Sequence, residues 1–115
     1  MKARLPQGYG GGAASRNDMI RKAQKMQEEL MKKQEEISAM EFNATAGGGA
    51  VEVTVSGDKE LKSIKIDPEV INPDDAEMLE DLIVAAVNEG LRKVEDLTNQ
   101  EMEKISGGLS IPGLL

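Results

Sequence analysis

The stretch TAGGGAVEVTVSGDKELKSIKID, residues 45–67, decides the fold. Three consecutive glycines, Gly47, Gly48 and Gly49, stand directly before a run in which Val51, Val53 and Val55 alternate with Glu52, Thr54 and Ser56. A twofold alternation of apolar and polar side chains is the pattern of a strand with one buried face. Glycines cradle a phosphate where they turn a strand into a helix, so that backbone N–H groups and the helix dipole converge on the anion. Here the order is strand, glycines, strand, and no Gly-Lys-Ser or Gly-Lys-Thr follows Gly49, so the triplet reads as a hairpin turn. Residues 42–46 supply the strand before the turn, and residues 61–66 supply a third strand after the "GDKE" of residues 57–60. The expectation is a three-stranded antiparallel meander.

Helical periodicity flanks this block on both sides. Ser15 and Asp18 stand three apart like a capping box, with Asp in place of Glu, and helix-forming residues continue to about Met40. Met19, Ala23, Met26, Leu30, Ile37 and Met40 follow a heptad seam with a gap at Lys33, which suits a long helix resting on another helix or on a partner subunit. Downstream, Asn72 is placed to cap a second helix, with Pro73 at its first position and Asp74 and Asp75 in the first turn, where the dipole favours negative charge. That helix is expected to run to about Ser106 and to end at Gly107 and Gly108. Its apolar stripe, which includes Leu79, Leu82, Ile83, Ala86, Val87, Gly90, Leu91, Val94, Leu97 and Ile105, is widest over the first half, enough to cover a small sheet and still offer apolar surface to something else. Residues 1–14, with Pro6 and four glycines, read as a flexible arm. Residues 15–106 read as a single α+β domain, and residues 107–115 as an apolar tail interrupted by Pro112 and Gly113. The fold class is α+β, an α-β-β-β-α subunit with the meander between two long helices.

Composition narrows the chemistry. A chain of 115 residues with 39% hydrophobic content fits one domain. It contains no cysteine and no histidine, so a disulfide framework, a thiolate and the commonest zinc ligand and general base are all missing. We therefore expect no catalytic residues, no metal site, no cofactor and no small-molecule substrate. The longest uncharged apolar run, residues 82–88, is far shorter than the roughly 18 residues a membrane span needs, and the first twelve residues lack the apolar centre of a signal peptide, so a cytoplasmic location with no membrane partner is expected. The acids Asp74, Asp75, Glu77, Glu80 and Asp81 lack the alternating ligands and central glycine of a calcium loop and read as a solvated helix start. Asn88 is either a polar bond at a subunit contact or an exposed position.

The net charge of −7 conceals a division along the chain. Residues 1–25 hold six bases against Asp18 alone, whereas residues 67–81 hold seven acids and no base. Arg16, Arg21, Lys22, Lys25, Lys32 and Lys33, interrupted by Glu28, Glu29, Glu35 and Glu36, make either a surface that follows phosphates or an ordinary mixed-charge helix face. With Tyr9 and Phe42 as the only aromatics there is no stacking platform for single strands, which leaves duplex backbone and grooves as the nucleic-acid target. The acidic balance supports a second reading, an interaction adaptor whose acidic helix start and apolar tail engage another protein, with DNA association only indirect.

The order of segments is itself informative: KMQEEL at residues 25–30, GGGAVEVTVSG at 47–57, SIKIDPEV at 63–70, DAEMLEDLIVAAVNEGLRKVE at 75–95 and GGLSIPGL at 107–114. Together they resemble the YbaB/EbfC family of bacterial nucleoid-associated DNA-binding proteins, over about residues 19–114. The resemblance implies that residues 15–106 are a single dimerisation and DNA-binding domain, an intertwined homodimer with paired sheets at its centre, helices projecting outward and Leu79, Leu82, Ile83, Ala86 and Val87 at the subunit contact. It implies binding of double-stranded DNA in the nucleoid, with bending or bridging of the duplex and an influence on gene expression. It also places the DNA contacts at the start of helix 1 and late in the last helix, which in this chain are Arg16, Arg21, Lys22 and Lys25, and then Arg92, Lys93 and Lys104.

Overall fold

In the computed structural model, which describes residues 4–107 and side chains from Ser15 onward, the glycine triplet joins two antiparallel strands. Gly47, Gly48 and Gly49 have φ of +64°, +68° and +97°, a left-handed path that side chains with a Cβ rarely follow. The Ala50 N–H donates to the Gly47 carbonyl and closes the turn. The elements run α1 (Arg4–Ser38), β1 (Glu41–Ala46), β2 (Val51–Ser56), β3 (Leu61–Ile66) and α2 (Ala76–Ser106), with two 3-10 turns, Pro68–Val70 and Pro73–Asp75, before α2. The sheet order is β1-β2-β3, all antiparallel, as the alternation predicts, and the fold is α+β.

Val51, Val53 and Val55 are buried on the face that α2 covers, together with Ala44, Ala86 and Val94. Phe42, Leu79, Leu82, Ile83 and Val87 pack around them. Helix α2 lies over β1 and β2 and leaves β3 largely uncovered. A bulge in β3 sets Leu61 opposite Val55 and Ile64 opposite Val53, so both share the apolar face with the buried valines. They nonetheless remain 41% and 40% exposed.

The start of α2 differs in detail from the expectation. Asn72 caps the 3-10 turn, its side chain accepting from the Asp74 N–H at 2.9 Å, and Asp75 caps the α-helix by accepting from Met78 at 3.3 Å. Two cap residues three positions apart satisfy successive sets of orphan donors, so the chain enters the helix in two steps. Gly107, at φ +52°, ends it as expected. Helix α1 begins at Arg4, upstream of the Ser15 start expected. Residues 1–3 of the anticipated arm and residues 108–115 of the anticipated tail lie outside the described residues.

Candidate nucleic-acid interface

Helices α1 and α2 form an antiparallel pair that leaves the sheet together. At its base Ile37 is fully buried, and the Gly57 N–H donates to the Met40 carbonyl at 3.0 Å. Further out, Lys33 fills the gap in the α1 seam and reaches Glu36 on its own helix at 3.2 Å and Glu101 on α2 at 3.6 Å. Both carboxylates push the Lys33 ammonium above its ordinary pKa, Glu36 the more strongly. Glu101 also binds Lys104 at 3.0 Å, and Lys104 is the main influence holding the Glu101 carboxyl below its ordinary value, with Lys33 adding to it. Leu30 and Met31 face Met102 and Ser106 where α2 ends, so the part of α1 before Met26 projects past the end of α2.

This projecting part carries Arg16, Arg21, Lys22 and Lys25, all exposed and, among the described residues, in no ion pair. Arg21, Lys25 and Lys32 recur at steps of four and seven and so share one side of the helix. Asp18 is the one acid between Ser15 and Lys25. Four cations with unsatisfied donors on one exposed segment can meet a row of phosphates without first breaking a protein contact.

The bases expected on α2 are placed differently. Arg92 donates to Glu89 through both Nε and Nη2, at 3.2 and 3.0 Å. Lys93 donates to the Asn43 carbonyl on β1 at 2.6 Å, which ties it to the edge of the sheet. Lys104 is held by Glu101. The structure therefore gathers the four α1 bases on one segment, sets Arg92 and Lys93 beside the sheet, and places Lys104 between them on the helix pair. Among the described residues no group of three or more His, Cys, Asp and Glu side chains is arranged to hold a metal ion.

Of the residues expected at a subunit contact, Ala86 is fully buried, and Leu79, Leu82, Ile83 and Val87 are half-buried against the chain's own sheet. The apolar side chains left open nearby are Leu61 and Ile64 on β3 and Met78 and Val84 on α2. Sequence reasoning passed over Val84 and β3. The signal was the position of Val84 just outside the helical stripe, in an otherwise apolar run.

Several known proteins are similar to this chain. A nucleoid-associated protein of Clostridium acetobutylicum is 56% identical over 107 residues, 93% of this chain and 94% of that protein. A nucleoid-associated protein of Thermoanaerobacter pseudethanolicus is 53% identical over 107 residues, 93% of this chain and 96% of that one. The crystal structure of an uncharacterized protein from Helicobacter pylori superposes with a TM-score of 0.64 at 25% identity, over 74% of this chain and 89% of that one. The family model of the YbaB/EbfC DNA-binding family matches residues 13–109, and the chain belongs to that family.

Proposed function

We propose that this protein is a non-enzymatic, nucleoid-associated, cytoplasmic homodimer that binds double-stranded DNA through Arg16, Arg21, Lys22 and Lys25. The observation that carries the reading is the contrast in pairing: the α1 bases are exposed and, among the described residues, unpaired, while Arg92, Lys93 and Lys104 are held by Glu89, Asn43 and Glu101. Family membership and the names of the relatives support it. A twofold axis doubles the number of phosphate contacts, and two basic tips on one dimer suit a protein that bends or bridges a duplex and thereby affects gene expression.

Each neutralised phosphate releases counterions, so with roughly four to eight of them per dimer affinity should fall steeply between about 50 and 200 mM salt. Replacing Arg21, Lys22 and Lys25 together by alanine should weaken binding and flatten the salt slope by as much as roughly six, about one for each phosphate that a variant dimer leaves unneutralised. Gel shifts on a short duplex measure both. Unaltered binding by the triple variant, or a wild-type affinity that ignores salt, would exclude this interface.

A further inference from the structure

Between α1 and the last turns of α2 lies an open cavity of about 750 Å³, walled by Leu30, Met31, Asn99, Met102, Glu103 and Ser106. Its α1 wall continues outward. At 100° per residue Ile20, Ala23 and Gln27 share the face of Leu30 and Met31, and no charged residue interrupts it. Arg21, Lys25 and Lys32 lie on the opposite side of the helix. Ile20 is 52% exposed and Met31 61%, so this uncharged stripe has no cover among the described residues.

The chain itself supplies a matching segment. Helix α2 is ended by Gly107, directly after Ser106 on the cavity wall, and residues 108–115 follow with the sequence GLSIPGLL. That segment has no charge and four large aliphatic residues, Leu109, Ile111, Leu114 and Leu115, while Pro112 blocks a continuing helix. Eight extended residues reach about 26 Å at about 3.3 Å each. The stripe from Leu30 to Ile20 is ten residues of helix, about 15 Å.

We propose that residues 109–115 lie along this stripe of their own chain, filling the cavity beside Leu30, Met31 and Met102 and then covering Ala23 and Ile20. Apolar surface is removed from water on both sides, and the projecting part of α1 gains a brace on the face away from Arg21, Lys25 and Lys32. The proposal stands independently of DNA binding.

The seven methionines provide methyl probes for NMR in the presence of a soluble paramagnetic chelate, which relaxes methyl groups that water can reach. In the full chain the Met31 methyl should be shielded, and truncation after Gly108 should make it relax severalfold faster while Met78, at the far end of α2, stays unchanged. The substitution Ile111→Asp in the intact chain should act in the same direction. Met31 equally exposed with and without the tail would overturn the proposal. So would equal shielding in both, which assigns the cover to a second copy. A labelled truncated chain mixed with excess unlabelled full chain should remain exposed; restored shielding would show that the tail comes from the partner subunit and overturn the same-chain assignment.

Discussion

Gly48 and Gly57 sit in the two turns of one sheet, and the structure requires glycine at each for a different reason. Gly48 has φ +68° and open space where a Cβ would stand, so Gly48→Ala incurs backbone strain alone, about 1–2 kcal/mol. Gly57 has no such φ, but a Cβ there would stand 1.7 Å from the Ile37 carbonyl oxygen, which cannot move without shifting the end of α1. Gly57→Ala should therefore destabilise more, by about 3 kcal/mol or beyond, since it overpacks against backbone rather than a flexible side chain. Urea unfolding of the two variants checks the order, and equal losses would mean that α1 moves aside freely. The role of the first glycine was legible in the sequence, because three glycines between two strand patterns can do little but turn. That of Gly57 was not, since the atom it must avoid is twenty positions away and arrives only when α1 docks. Lys93 follows the same rule: its partner, the Asn43 carbonyl, is fifty positions distant and is defined by the path of β1.

Lys33 is the residue through which the two long helices acknowledge each other. The seam of α1 was readable from its heptad spacing, and the interruption at Lys33 was visible as a gap, but its purpose depends on where Glu101 falls on a helix more than sixty residues later. The expected and observed starts of α1 also part company. Gly8, Gly10, Gly11 and Gly12 each disfavour helix by about 1 kcal/mol relative to alanine, and on local propensity alone the sequence places the start after them. Glu101 makes the helix pair sensitive to acid. Its folded pKa is lowered below the ordinary 4.5, first by Lys104 and then by Lys33, so its contribution to stability is complete above the unfolded pKa and is lost as pH falls through the folded one. Wild type should therefore melt above the Glu101→Gln variant at neutral pH, with the gap closing in acid. The gap should also narrow in high salt, since Lys104 is well exposed. A difference that persists unchanged at about pH 3, below the ordinary carboxylate range, would mean that Glu101 acts through packing rather than charge.

The molecule as a single chain is far from compact. Its radius of gyration is 23.8 Å, against about 13 Å for a compact domain of this length. A three-stranded sheet with one helix over two of its strands is a thin core, and Leu61, Ile64 and Val84 remain open beside it. On the proposed dimer these side chains close against the second copy. Light scattering should give twice the chain mass, and Ile64→Ser with Val84→Ser should move it toward that of one chain at a small cost in folding, because both side chains are already exposed in the lone subunit. Wild type scattering as a single chain at micromolar concentration would rule the dimer out. The sequence announced the need for another layer, since its helix stripe was wider than one sheet uses, but it named the residues that the chain spends on itself. The close approach of Gly57 to Ile37 has a mechanical side as well. It clamps one end of a long lever, and Arg16 stands about 31 Å from that fulcrum at 1.5 Å per residue. A tilt of about 5° at the clamp sweeps the basic tip through about 3 Å, so two backbone groups at the base of the sheet would set how widely the paired tips of the proposed dimer can be spread.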